Sequence, residues 1–208
     1  MRAAGLGAVT VALAVVTSLT ACTSKVPETV VAGTVITVGW SGSLTSTNAA
    51  SSPTAGNRDI AEMIRSDFGD VVDGEFVADE SFGAVTIVSQ KPFTVRYDLT
   101  EPAWSDGVPL DAADLLLGWA GATGFLDRKQ GAEAAVVPAL DEFARAIQVT
   151  DPQPKAQWQT AVRVPVAAHV VGRHAFGTDD PMVAKQAVIT AIQHDDFAAL
   201  ARLATVWR

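Results

Sequence analysis

The stretch from Lys91 to Trp119, KPFTVRYDLTEPAWSDGVPLDAADLLLGW, leaves this chain few ways to fold. Phe93, Val95, Tyr97 and Leu99 alternate with Thr94, Arg96 and Asp98, a period of two that predicts a half-buried strand. Trp104 then leads into Ser105-Asp106-Gly107, where glycine supplies the positive φ of a tight turn. Asp111 is placed to cap a helix, and Asp114, three residues on, can answer the unpaired N–H groups of its first turn. Leu115 and Trp119 lie four apart and share one helical face, which must be buried. Trp104, Asp106, Gly107, Asp114 and Trp119 are therefore assigned to a structural motif.

Not all of the apolar content belongs to that domain. Arg2 is the only charge before Lys25, and Leu6 to Leu19 is an apolar run rich in small residues. A membrane span needs about 20 apolar residues; a shorter run suits the core of a secretory signal. It ends in Leu19-Thr20-Ala21-Cys22, which resembles a bacterial lipobox, and Cys22 is the only cysteine, so no internal disulfide can form. The expected organisation is a signal peptide over 1–21, a tether over 22–33 and one domain over 34–208. In lipoproteins such a cysteine carries a diacylglyceryl group, and two acyl chains anchor firmly where one would not.

Cleavage before Cys22 takes Arg2 away and leaves 14 basic against 23 acidic residues, net −9. Such a domain, with no Lys/Arg cluster, has no general attraction for nucleic acid.

Thr34 to Trp40 (TVITVGW) is a β-branched run expected to form a buried strand. The loop after it, Ser41 to Pro53, is rich in Ser, Thr, Asn and Gly, whose groups donate and accept at short range and suit a polar solute. Asn57 to Phe68 carries Ile60, Met63, Ile64 and Phe68 at helical spacing. Phe76 to Ala78 and Val85 to Val88 read as short strands. Ala144 to Val149 and Gln157 to Val164, flanking Asp151-Pro152-Gln153-Pro154, read as a second hairpin. Asp180-Pro181 fits an N-cap and a first-turn proline ahead of the stripe Ala184, Ala187, Val188, Ala191 and Ile192. A last helix near Asp195 puts Phe197, Leu200, Leu203, Ala204 and Trp207 on a face with nothing after it in sequence to cover it.

Catalytic and metal chemistry finds little to use. His169 and His174 are five apart, so they do not stack on one helical face as ligands four apart do. A packing role for His169 is expected. Neither a G-x-S-x-G elbow nor a Gly-rich phosphate loop occurs, so no enzyme activity, cofactor or metal is expected.

Strand, Trp-Ser-Asp-Gly-x-Pro, then Ala-Ala-Asp opening an apolar helix resembles the family 5 extracellular solute-binding proteins, the oligopeptide, dipeptide and nickel receptors of ABC importers. Residues 39–48 (GWSGSLTSTN) and 164–175 (VPVAAHVVGRHA) are similar to segments of actinobacterial members. The resemblance implies an α/β fold, the N-terminal lobe of a periplasmic-binding-protein-like type II fold with a mixed sheet flanked by helices. It implies that the loop after the first strand faces a ligand cleft, with Ser41, Gly42, Ser43, Leu44, Thr45 and Asn48 as ligand-binding residues. Where the family has Leu-Asn-Pro, this chain has Thr47-Asn48-Ala49. The implied function is a lipid-anchored receptor on the outer face of the plasma membrane, passing a peptide or other polar small solute to ABC transporter permease subunits. Family members are much longer, so a truncated receptor, or one whose second lobe is a separate chain, is expected. The alternative is an interaction lipoprotein that keeps the scaffold without binding solute.

The lipobox generates a direct expectation. Mass spectrometry of the mature protein should find Cys22 as a diacylglyceryl-modified N-terminus, and Cys22→Ala should leave the protein unanchored but folded. A mature N-terminus elsewhere, with a free thiol at Cys22, would contradict it.

Overall fold

The computed structural model describes residues 34–141, 143 and 145–208; the expected signal peptide, Cys22 and the expected tether lie outside them. Described residues comprise α1 (Ala55–Ile64), a hairpin of β1 (Gly69–Val72) and β2 (Glu75–Ala78), then β3 (Gly83–Gln90) and β4 (Phe93–Leu99). After these come α2 (Ala112–Ala122), β5 (Ala139–Asp141), β6 (Ala146–Asp151), α3 (Ala168–Phe176), α4 (Pro181–Gln193) and α5 (Phe197–Trp207).

The expected alternation of Phe93 to Leu99 becomes β4, inside a four-stranded sheet of order β3-β4-β6-β5. Tyr97 sits opposite Ile147 and Val95 opposite Val149, so both pairs face the helices. The other face is polar, where Arg96 pairs with Asp98 and Asp141. Among the described residues every pairing is antiparallel, which corrects the mixed sheet of the sequence reading within an otherwise α/β fold.

Helix α2 is the centre of the helical layer. Ala112 through Ala120 are all buried, enclosed by β6, α3, α4 and a 3-10 turn at Phe125–Asp127. Two glycines permit this closeness: a Cβ on Gly121 would stand 2.0 Å from the Trp207 ring, and one on Gly172 would stand 2.5 Å from the Ala184 carbonyl. The N-cap at Asp180 and the proline at the start of α4 are as expected, and Asp180 accepts from the N–H groups of Met182 and Val183.

Four expectations are corrected. Residues 34–40 form no strand: Val35 and Ile36 are exposed, and Trp40 instead turns onto α1, its Nε1 donating to Asp59 at 3.3 Å. A strand needs a neighbouring strand for its ladder, and the described residues bring none alongside. Helix α1 stops at Ile64, because Arg65 is extended, and it buries Asn57 and Ala61 rather than Met63 and Ile64. Phe68 is buried beyond the helix, edge-on to Phe82 and Tyr97. Gln157 to Val164 is no strand either: β6 already has β4 and β5 on its two sides, leaving no edge to pair with. Its Trp158–Thr160 forms a 3-10 turn, and the Trp158 carbonyl accepts from the Tyr97 hydroxyl.

The last correction concerns α5. Its apolar face is covered: Leu200, Leu203, Ala204 and Trp207 are buried against α3, α4 and the 3-10 turn at Phe125–Asp127.

Candidate functional site

The Trp-Ser-Asp-Gly block and the helix after it converge on one buried carboxylate. The turn is closed by Trp104, whose N–H donates to the Val108 carbonyl and whose carbonyl accepts from Gly107, at 2.9 Å each. Gly107 has φ +84, where a side chain would be strained. Asp111 caps α2 in a reciprocal box with Asp114.

Asp114 does more than complete that box. One of its oxygens accepts from Trp104 Nε1 at 3.1 Å and from the Ala168 N–H at 2.7 Å, and the other from the Asp111 N–H at 3.0 Å and Lys185 Nζ at 2.9 Å. Burial pushes its carboxyl up and the Lys185 charge opposes that. Four donors and no acceptor around it identify the group as a carboxylate. Lys185 is itself 2% exposed, and its ammonium meets Asp114, Asp111 at 3.0 Å and the Pro109 carbonyl. Three donors meet three acceptors, so this pair has no capacity left for a ligand.

A second pair flanks the first. His169 is buried, as its expected packing role requires, and its Nε2 lies 2.8 Å from Asp106 Oδ2, with the Trp104 ring edge-on. The His169 Nδ1 has no partner among the described residues. Burial alone would raise the Asp106 carboxyl, but the His169 hydrogen bond and the Val108 N–H outweigh it and hold it below its ordinary value. Trp104, Asp106, Gly107 and Asp114 thus meet in one structural cluster. Trp119 packs apart from it, tilted against Phe125.

The loop of Ser41 to Asn48 is a different kind of surface. Buried Asn57 ties it down: its Oδ1 accepts from the N–H groups of Thr45 at 2.9 Å and Ser46 at 3.3 Å, and its Nδ2 donates to the Ser52 carbonyl at 2.8 Å. Asn48 holds the far end, its Nδ2 donating to the Trp207 carbonyl and its Oδ1 accepting from the Ala50 N–H. The Trp40 ring lies so close to Gly42 and Gly56 that a Cβ on either would come within 2.3 Å of it. Between these anchors Ser41, Gly42, Ser43, Leu44 and Thr45 are exposed, while Asn48 is buried and committed within the protein. A depression of about 330 Å³ beside Arg173, His174 and Thr178 shares no residue with this loop. Its Arg173 is 3.5 Å from Asp179.

Sequence reasoning missed Lys185, which sits within the apolar stripe of α4. A lone lysine among Ala184, Ala187 and Val188 was the available signal.

No protein-family model matches the chain. Over 161 residues, 75% of this chain, it is 34% identical to uncharacterized lipoproteins of Mycobacterium tuberculosis (strain H37Rv) and Mycobacterium bovis, and it spans 27% of their length. A Mycobacterium leprae lipoprotein is 36% identical over 73 residues, 35% of this chain and 13% of that protein. Among solved structures, the periplasmic EDTA-binding protein EppA superposes with a TM-score of 0.50 at 20% identity, over 67% of this chain and 28% of that one. At that identity the likeness is one of fold: this chain shares the fold of part of a periplasmic binding protein.

The depressed Asp106 carboxyl carries a sign. Its stabilising contribution is present above the unfolded value of about 3.9 and is lost as pH falls through the lower folded value. Thermal melts between about pH 7 and 2 should show Asp106→Asn less stable than the parent at the neutral end, with the gap closing as acid protonates the parent. Parallel pH profiles would show that the His169 contact contributes nothing.

Proposed function

We propose that this chain contributes the solute-facing first lobe of a lipid-anchored, family 5 type receptor on the outer face of the plasma membrane. It would pass a peptide-like or other polar small solute to the permease subunits of an ABC importer. The observation that carries this reading is the loop at Ser41 to Thr45: uncharged, exposed, rich in hydroxyls, and held at its start by Trp40 on α1 and at its end by buried Asn57 and Asn48. A loop held this way offers donors and acceptors with little ordering cost on binding. The fold shared with an EDTA-binding periplasmic protein supports a binding role, and the mycobacterial lipoproteins support anchoring through Cys22.

Asn48, included with the ligand-binding residues on sequence, acts in this reading as the anchor of the loop. The Asp114 cluster is scaffold, and no enzymatic role is assigned to either. A second reading, an interaction lipoprotein without solute, is favoured by one observation: the polar atoms of Asn48 and Asn57 are already spent inside the protein.

Calorimetry with short-peptide mixtures, using the mature chain with Cys22→Ala, separates the two. One wall of a cleft should give a Kd of about 1 mM, roughly 4 kcal/mol. Replacing Ser41 and Ser43 by Ala should weaken binding about tenfold by removing two hydrogen bonds, without moving the melting temperature. No heat with any peptide, or binding indifferent to those changes, would favour the interaction lipoprotein.

A further inference from the structure

Asp114 and Lys185 spend their donors and acceptors inside the protein; the depression at the end of α3 is lined by groups that do not. Val170, Arg173, His174 and Gly177 recur at the spacing of one helical face, and Thr178 and Asp179 continue that wall into the linker before α4. Gly177 has φ +69 and closes α3, and a Cβ there would meet nothing within 4 Å, so the backbone borders open space. The volume of about 330 Å³ lies at the small end of ligand sites, which span about 300–1,000 Å³. It suits a small solute rather than a polypeptide.

Its charges are adjacent but not joined. Arg173 Nη2 stands 3.5 Å from Asp179 Oδ1, against 2.8 Å for Arg128 with Asp195 and 2.7 Å for Arg96 with Asp98. A charge-assisted hydrogen bond closes at about 2.7–2.9 Å, so Arg173 keeps its fork of donors and Asp179 its lone pairs. Asp179 is fully exposed and Arg173 half-exposed, and a pair in water contributes little to the fold. The His174 ring and the Thr178 hydroxyl have no hydrogen-bond partner among the described residues. Asp180, by contrast, is committed to the first turn of α4. Val170, 43% exposed, adds an apolar wall.

A guanidinium beside a carboxylate, with a hydroxyl and an apolar wall, is complementary to a molecule that carries both charges close together. A simple anion here would be repelled by Asp179, and a simple cation by Arg173. An α-amino acid holds its carboxylate and ammonium on one carbon and meets both demands. We propose that this depression binds a free α-amino acid with an apolar side chain. Its carboxylate accepts from Arg173 and Thr178, with His174 as a further donor at the rim. Its ammonium donates to Asp179, and its side chain lies against Val170. The site shares no residue with the Ser41 to Thr45 loop, and the inference does not rest on the receptor reading.

Amide chemical shifts, followed by NMR through a titration of the mature chain carrying Cys22→Ala, supply the test. The probes are L-leucine and two analogues that each lack one charge: 4-methylpentanoate has no ammonium and isoamylamine no carboxylate. L-leucine should bind saturably with a Kd of about 1 mM, moving the amides of residues 170–179, and each analogue should bind at least about tenfold more weakly. Arg173→Gln and Asp179→Asn should each weaken L-leucine by a similar factor and leave the melting temperature unchanged. No saturable shift with L-leucine, or binding indifferent to both substitutions, would overturn the inference. Equal affinity for 4-methylpentanoate would also overturn it, by making the site one for simple anions. Binding that survives Arg173→Gln but is lost on replacing Ser41 and Ser43 by Ala would overturn it while supporting the proposed function.

Discussion

The buried contact between Asp114 and Lys185 is the constraint on which the rest of the domain depends. Moving two ions out of water costs several kcal/mol each, and only good geometry with complete hydrogen bonding recovers that cost. Here the geometry is complete: the carboxylate has four donors and the ammonium three acceptors. Those partners come from the turn at Trp104 to Pro109, the cap of α2, the first residue of α3 and the middle of α4. Apolar packing alone would let these elements slide. A charge pair that is satisfied in a single arrangement does not.

From that point outward the architecture follows. With α2 fixed at its start, its buried faces meet the sheet, α3 and α4 together. Gly121 and Gly172 admit Trp207 and the Ala184 backbone at distances that any side chain would forbid. Trp207 in turn presents its carbonyl to Asn48, so the far end of the domain holds the polar loop. The exposed residues of the Ser41 to Thr45 loop are thus positioned by a chain of contacts that begins in the Trp-Ser-Asp-Gly block yet includes none of the loop's own exposed side chains.

Much of this was legible in the sequence where the signal was local. Alternation at Phe93 to Leu99, the positive-φ glycine at 107, and the caps at Asp111 and Asp180 depend on neighbours within a few residues, and each is found where expected. The hairpin of β1 and β2 turns on Asp73-Gly74, both at positive φ, a two-residue signal that was present and overlooked. Long-range choices were not legible. Gln157 to Val164 has strand composition but finds both sides of β6 taken, and α1 turns a small, partly polar side inward because Asn57 must reach the loop. Lys185 reads as a surface lysine until the two aspartates, more than seventy residues earlier, are brought to it.

The account stands most directly on a double-mutant cycle of Asp114→Asn and Lys185→Met, followed by chemical unfolding. Lys185→Met should cost about 3–5 kcal/mol, because it strands the fully buried Asp114 carboxylate, and Asp114→Asn should cost less, because Lys185 keeps Asp111 at 3.0 Å. The double variant should cost no more than Lys185→Met alone, since the buried carboxylate is gone and Asp111 is partly in water. Costs that simply add, to within about 0.5 kcal/mol, would mean the two residues act independently and that the domain is organised around something else.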